Sequence, residues 1–163
     1  MTFVSLLVLL LAFVWVPGVP LPETVATHFD GAGQANGFMS RGGYHWFMTA
    51  LVLFVSLTAT WFPIWLISRS ESLVSLPNKD YWMSTERKGE SMAFLNRWHL
   101  RLGILVLGLM AYAHWLVVKA NQATPALLKS DHLKIGVLIF LLAMTGLMVQ
   151  LFWRFRAVNQ AAR

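Results

Sequence analysis

Residues Leu21–His45, LPETVATHFDGAGQANGFMSRGGYH, form a polar, glycine-dense segment in a chain that otherwise consists of long apolar runs. The segment holds five of the eleven glycines and two of the five histidines. Gly, Asn, Asp and Ser at this density are typical of turns, because glycine tolerates positive φ and the short polar side chains bond to their own backbone. We therefore predict an ordered loop over residues 21–45, shaped by turns and placed between two apolar helices.

The composition of the whole chain is that of an integral membrane protein. Hydrophobic residues make up 57% and charged residues only 12%, whereas about a quarter of the residues of soluble domains are charged. The length of 163 residues predicts a single membrane domain over residues 1–163. The chain has no cysteine, which excludes disulfides and thiolate metal sites. The net charge of +6 does not indicate nucleic-acid binding, since the basic residues stand at the ends of apolar runs.

Four apolar segments are long enough to cross a bilayer as helices. The first carries no charge, and Pro17, Gly18 and Pro20 are expected to end it. A cleavable signal peptide is the alternative for this segment. It lacks both a basic N-terminal region and an A-x-A cleavage site, so we predict a retained helix. The predicted all-α fold has spans at about residues 2–20, 46–67, 99–118 and 133–153.

The basic residues predict the orientation of these spans, because cytoplasmic loops carry an excess of Lys and Arg. With both termini inside, nine basic residues are inside and four are outside, so loop 21–45 is extracytoplasmic and loop 69–97 is cytoplasmic. From Ser84 onward a capped amphipathic pattern predicts a short interfacial helix that leads into the third span. The inner residues are Arg69, Lys79, Arg87, Lys88, Arg97, Arg101, Arg154, Arg156 and Arg163, and the outer ones are Arg41, Lys119, Lys129 and Lys134.

Small residues in the last two spans are candidates for close helix packing, because they let backbones approach in a membrane. These residues are Gly103, Gly108, Ala111, Gly136, Ala143 and Gly146.

Two blocks of the sequence, LPETVATHFDGAGQANGFMSR and LPNKDYWMSTERK (Leu76–Lys88), resemble a bacterial membrane family of unknown function related to the SdpI-type toxin-immunity proteins. The resemblance implies a small multi-pass protein of the inner membrane. One branch of that family protects against a secreted toxin and takes part in signalling. The matching residues are Leu21, Pro22, His28, Phe29, Gly33, Asn36, Gly37 and Arg41 in the first block, and Pro77, Asn78, Tyr81, Trp82, Glu86 and Arg87 in the second.

Each block has a structural and a binding interpretation. In the first, Asp30 and Asn36 are placed to form Asx-turns, and Arg41 to meet a lipid phosphate or Asp30. The first block is then either an ordered cap on the bundle or a recognition surface for an extracytoplasmic peptide or partner. The second block is a membrane anchor on anionic headgroups or a docking site for another membrane protein. The candidate binding residues are His28, Phe29, Gly33, Asn36, Gly37 and Arg41 outside, and Asn78, Tyr81, Trp82, Glu86 and Arg87 inside.

Four histidines, His28, His45, His114 and His132, belong to the outer side in this topology. Imidazole suits Zn²⁺ or Cu²⁺, so their convergence would make a metal site, although no two have the spacing of a local ligand pair. A single haem between His114 and either His45 or His132 is a further possibility.

We expect a protein without enzymatic activity and without a cofactor, since no carboxylate pair and no Ser/His/Asp pattern stands out. The predicted function is that of an accessory subunit, regulator or immunity-type protein that acts through protein contacts. Its predicted partners are membrane lipids and other membrane proteins or an extracytoplasmic peptide. The alternative is a metal- or haem-binding redox accessory subunit that uses the outer histidines.

Overall fold

The structure, a computed structural model, describes residues 2–16 and 21–156, apart from the side chain of Glu71. Pro17, Gly18 and Pro20, which were expected to end the first helix, and Arg163, one of the predicted inner charges, lie outside the described residues.

The described chain is mostly helical and contains one small β-hairpin. The helices are α1 (Phe3–Val14), α2 (Arg41–Arg69), the short α3 (Lys79–Trp82), α4 (Lys88–Ala120) and α5 (Ser130–Phe155). Strands β1 (Thr24–Phe29) and β2 (Ala35–Ser40) connect α1 to α2, and a 3₁₀ turn lies at Glu71–Leu73.

Three of these helices, α2, α4 and α5, are long and apolar enough to span a membrane. They contain 29, 33 and 26 residues. At about 1.5 Å per residue each exceeds the roughly 30 Å of a bilayer's hydrocarbon core. Helix α1 has 12 residues, which cover only about 18 Å. The predicted fourth span over residues 2–20 is therefore not confirmed.

Helices α1, α2 and α4 form the main core of the bundle. Phe3 at the start of α1 meets the ring of Trp61 edge-on at 6.1 Å, and Phe13 near its end meets His114 in the same way at 4.9 Å. Phe3 also lies beside Gly103 of α4, and Trp15 just after α1 bonds to Thr49 of α2, so α1 runs parallel to α4 and antiparallel to α2. The buried apolar residues of this core include Leu10, Val14, Tyr44, Met48, Val52 and Leu107.

A π-helical turn, Leu57–Trp61, lies inside α2 just before Pro63. Such turns absorb a local disruption of the helix ladder, here where the proline lacks an N–H. The turn puts Thr60, which is fully buried, against Gly103 of α4, where an added Cβ would meet both the Thr60 hydroxyl and the Phe3 ring. The packing at this helix crossing requires glycine at position 103, because any side chain there would collide with Thr60 and Phe3.

The predicted close packing of small residues holds at some positions and fails at others. An added Cβ at Gly136 would meet the ring of Tyr112, so that position is as tight as Gly103. A Cβ at Gly108 or Gly146 would meet nothing within 4 Å. The prediction is wrong for these two glycines, which border open space.

The segment predicted as a loop contains the antiparallel pair β1–β2, so the description of the fold as all-α is corrected. The pairing runs from Thr24 opposite Ser40 to Phe29 opposite Ala35, with irregular register around His28. At the tip, the Asp30 carboxylate accepts from the N–H groups of Ala32 and Gln34 at 2.9 and 2.8 Å. The predicted Asx-turn at Asp30 is thus confirmed, whereas Asn36 lies within β2.

The segment that was predicted to begin a short interfacial helix at Ser84 begins with a turn instead. The Ser84 carbonyl accepts from the N–H groups of Arg87 and Lys88 at 3.0 and 2.9 Å. Helix α4 then runs unbroken from Lys88 to Ala120. No separate helix precedes the span between Ser84 and Lys88, a stretch that the structure describes in full.

Candidate functional site

The side chain of Asn121 fastens the hairpin to the end of α4. Its amide oxygen accepts from the N–H of Ala26 at 2.8 Å, and its amide nitrogen donates to the carbonyl of Ala26, also at 2.8 Å. The same nitrogen donates to the carbonyl of Val117 at 2.9 Å, in the last turn of α4. Asn121 therefore imitates a β-strand neighbour for β1 and caps the helix at the same time.

The tip of the hairpin is fastened a second time, to the connection between α4 and α5. The N–H of Leu128 donates to the carbonyl of Gly33 at 2.9 Å, and Gln34 forms a bridge with Leu127. Gly33 has φ +82°, and a Cβ there would collide with the carbonyl of Leu128. Glycine is needed at this position both for the turn and for the docking.

The candidate residues of the first motif fall into two groups. Gly33 serves the docking, Gly37 lies against the Cβ of His28, and Arg41 donates to the carbonyl of Leu21 at 3.3 Å. Arg41 is thus bonded to the segment before β1 rather than to Asp30. His28 and Asn36 are exposed and bonded to each other through Nδ1 and Oδ1, while Phe29 is half-buried.

A buried pair of side chains, Tyr44 and His114, lies in the core below the hairpin. The Tyr44 hydroxyl and His114 Nδ1 are 2.8 Å apart, and the two rings stack at 5.7 Å with an interplanar angle of 13°. The ring of Phe13 meets the imidazole edge-on. Tyr44 is 2% exposed and His114 1%. The hydroxyl and the imidazole nitrogen therefore bond to each other rather than to water.

A cluster of aromatic rings lies beside the Tyr44–His114 pair, at the end of α1. The indole N–H of Trp15 donates to the hydroxyl of Thr49 at 2.9 Å, and the Trp15 ring lies 4.9 Å from His45 and 5.2 Å from Trp46. Rings with a polar edge are suited to the membrane–water boundary. The cluster therefore has the composition expected of a membrane–water boundary.

The four outer histidines do not come together as one ligand set. His114 and His45 both contact Tyr44, but His28 is bonded to Asn36 on the exposed hairpin and His132 stacks on Trp115. Within residues 2–16 and 21–156, no three His, Asp or Glu side chains are grouped as metal ligands. A haem at His114 would have to displace the packed rings of Tyr44 and Phe13.

The second motif packs around Arg154 at the far end of the bundle. The Arg154 guanidinium lies over the ring of Trp82 at 4.5 Å and close to those of Phe94 and Phe155 at 5.9 and 5.5 Å. It also pairs with Glu90 at 3.5 Å. The half-buried Trp82 thus packs against Arg154 and Phe155.

The other residues of that motif shape the same end. Asn78 adopts φ 53° before α3, a conformation that asparagine tolerates better than most residues. Arg87 lies over the Tyr81 ring at 4.2 Å and is 3.5 Å from the exposed Glu86 carboxylate. The candidate residues here mostly contact one another and α5.

Sequence reasoning missed the residues that hold the site together. Asn121, Leu128 and Tyr44 lie outside the two motifs or at their margin, and Arg154 was counted only as a charge. The one local signal was an asparagine at the end of an apolar run, which is typical of a helix C-terminus.

Comparison with known protein families finds a match for the N-terminal part of the chain. Residues 3–53 form a DUF1648 domain, a domain of unknown function. It comprises α1, the hairpin and the first part of α2, and so contains Tyr44 and His45. The comparison with curated proteins and that with solved structures give no match. The hairpin of this domain is fastened by Asn121 and Leu128, which lie outside it.

Replacing Asn121 tests the clamp. Asn121→Ala removes three hydrogen bonds and leaves the N–H of Ala26 unpaired, so we expect a loss of about 1–3 kcal/mol and faster amide exchange along β1. Hydrogen–deuterium exchange of the detergent-solubilised protein measures this. The neighbouring Gln122→Ala, at an exposed side chain, is the matched control and should change little. Unchanged protection of Ala26 in Asn121→Ala would show that the side chain does not hold the hairpin.

Replacing Tyr44 tests the buried pair. Tyr44→Phe keeps the ring but leaves His114 Nδ1 without its partner, and we expect a loss of about 1 kcal/mol in stability. Thermal unfolding in detergent, followed by tryptophan fluorescence, measures it. Tyr81→Phe is the control, because it removes the same hydroxyl from a half-buried ring that keeps its contact with Arg87. Equal melting temperatures for the two variants would contradict a special role for the buried pair.

Proposed function

We propose that this is a non-enzymatic, multi-pass protein of the bacterial inner membrane that recognises an extracytoplasmic protein segment through the β1–β2 hairpin. One observation carries the proposal. The hairpin is fastened to the bundle by Asn121 and Leu128, yet β2 exposes the large apolar side chains Phe38 and Met39, with exposures of 58% and 37%. Such side chains on a rigid support are typical of a protein-binding surface.

The shape of the hairpin favours a protein partner. A two-stranded sheet has two edges, of which Asn121 occupies part of the β1 edge. An extended segment adds to a remaining edge by main-chain hydrogen bonds. Near one edge the exposed His28 and Asn36 offer polar groups beside Phe38. A partner that adds a strand here would bury the aromatic ring and keep the bundle unchanged.

The membrane placement is supported by the positions of charges and tryptophans. In the proposed arrangement four spans cross with both termini inside, and the hairpin is outside. Trp65 and Trp153 lie near one end of the helices and Trp46 near the other, all more than half exposed. Of the described basic residues, those at the far end are Arg69, Lys79, Arg87, Lys88, Arg97, Arg101, Arg154 and Arg156, and those at the hairpin end are Arg41, Lys119, Lys129 and Lys134.

Helix α1 is the fourth span in this proposal despite its length. Its contacts run from Gly103, beside Phe3, to His114, beside Phe13. Arg101 and Lys119 on α4 bracket about 27 Å of helix, and α1 lies along most of that depth. The short α3 lies at the inner surface in this arrangement, a few residues before Ser84, where the interfacial helix was predicted to begin.

The proposed role is that of an accessory subunit, regulator or immunity-type protein. The resemblance to the family related to SdpI-type proteins supports the last of these, because one branch of that family protects against a secreted toxin. The buried polar groups support a structural rather than a catalytic core: Tyr44 and His114 are bonded to each other and closed off by rings.

Single cysteines test the orientation, since the chain has none of its own. Gly31→Cys and Gly89→Cys are placed where an added Cβ meets nothing within 4 Å. In spheroplasts we expect an impermeant maleimide to label Gly31→Cys, and to label Gly89→Cys only after lysis. Thr2→Cys should behave like Gly89→Cys if α1 crosses the membrane. The reverse pattern at residues 31 and 89 would overturn the orientation, and surface labelling at residue 2 the fourth span.

A photo-crosslinker tests the recognition surface. Benzoylphenylalanine in place of Phe38 should give a discrete protein adduct in cells, and the adduct should disappear when Asn121→Ala releases the hairpin. The matched control is the same replacement at Phe152, which is equally apolar and 65% exposed but lies on α5. Adducts of the same size from both positions, or only lipid adducts at residue 38, would contradict recognition by the hairpin.

A further inference from the structure

A largely apolar cavity with basic residues at its margin lies at the hairpin end of the bundle. It has a volume of about 300 Å³ and is enclosed by the end of α4, the connection to α5 and the start of α5. Its lining includes Trp115, Lys119, Leu127, Lys129 and His132. Every titratable side chain in the lining is basic, which suits an anionic group.

The charges around the cavity leave it positive. Lys119 bonds to the neutral amide of Gln122 at 3.2 Å. The nearby carboxylate of Asp131 is not part of the lining and is 3.4 Å from Lys134, which also lies outside the cavity. Among the described residues, no carboxylate is paired with the lysines of the lining.

An apolar groove of about 580 Å³ runs along α4 and α5 next to this cavity. Its walls include Leu105, Gly108, Tyr112, Ile135 and Ile139. Gly108 keeps the floor open, because a Cβ there would meet nothing within 4 Å.

The cavity and the groove meet at a stack of three rings. Trp115 lies between Tyr112 and His132, at 5.6 and 6.1 Å, with interplanar angles of 25° and 23°. Tyr112 lines the groove, whereas Trp115 and His132 line the cavity. The Tyr112 hydroxyl also donates to the carbonyl of His132 at 2.7 Å, which holds the start of α5 against α4. The stack separates the two spaces, and because its Tyr112–His132 contact is exposed, a ligand lying across its outer face reaches both.

We propose that the cavity and the groove together bind one anionic phospholipid, with its phosphate beside Lys119 and Lys129 and an acyl chain between α4 and α5. Only an amphiphile uses both features. A free anion leaves the groove empty, and an apolar partner helix leaves the lysines without a counter-charge. The depth also fits, because Lys119 ends the apolar part of α4 and the groove lies below it. The site rests on the proposed membrane placement but not on the hairpin partner.

Native mass spectrometry of the full chain in detergent tests the headgroup site, with phosphatidylglycerol, phosphatidylcholine and inorganic phosphate as probes. We expect one phosphatidylglycerol to bind, and Lys129→Gln and Lys119→Gln each to weaken it about fivefold, the effect of one lysine near an anionic lipid. Lys134→Gln is the matched control and should stay within about twofold. Equal binding of the two lipids, unaffected by the lysine variants, would overturn the site as ordinary lipid contact.

Filling the groove tests the acyl-chain half of the site. Gly108→Leu should weaken phosphatidylglycerol binding about tenfold or more, because the side chain occupies the groove at a position with free space. Gly146→Leu is the matched control, an equally open helical glycine that does not line the groove. If Gly108→Leu binds the lipid normally while inorganic phosphate competes with it, the site is for a free anion and the proposal is wrong. These outcomes are independent of the cross-linking at Phe38.

Discussion

The paired hydrogen bonds between Asn121 and the backbone of Ala26 join the N-terminal hairpin to the end of α4. Residue 121 ends α4, and residue 26 lies in the DUF1648 domain, 95 positions earlier in the chain. A two-stranded sheet is marginal on its own in water, so β1 and β2 need a neighbour. The amide side chain supplies that neighbour without a third strand, and it also donates to the carbonyl of Val117 at the helix end. The position of the hairpin thus depends on this side chain together with the bond from Leu128 to Gly33.

The core under the hairpin depends on this attachment. Tyr44 lies four residues after Ser40, which ends β2 and caps α2 by accepting from the N–H of Gly43 at 3.1 Å. Docking of the hairpin therefore sets where α2 begins, and with it the position of Tyr44 opposite His114. A buried imidazole without a partner is costly in a low-dielectric interior. The pairing of these two side chains makes the register of α2 against α4 specific, which apolar contacts alone would leave loosely defined.

The sequence predicted the parts that follow from composition and failed at those that depend on tertiary contacts. Apolar runs predicted the three long helices, and Asp30 predicted its turn, because both signals are local. The hairpin was missed since its strands have six residues each and their partner, Asn121, is remote in sequence. The convergence of His28, His45, His114 and His132 was predicted only from their expected depth in the membrane. Whether a helical residue faces inward depends on its rotation, and α4 turns His114 into the core while His132 faces outward beside Trp115.

Helix α5 shows why a lipid site suits this bundle. Among its described residues only Phe155 is buried, so it does not pack as a core helix. It is attached by polar and ring contacts at separate levels: Tyr112 to the carbonyl of His132, Trp98 to the carbonyl of Leu147 at 2.9 Å, Arg101 to Gln150 at 3.0 Å, and Arg154 on Trp82. In a membrane, lipid tails are as apolar as leucine, so such contacts rather than hydrophobic burial hold helices together. Contacts at discrete levels leave gaps between them, and the groove past Gly108 is the gap between Tyr112 and Arg101. An acyl chain in that gap would supply the continuous packing that the α4–α5 contacts do not.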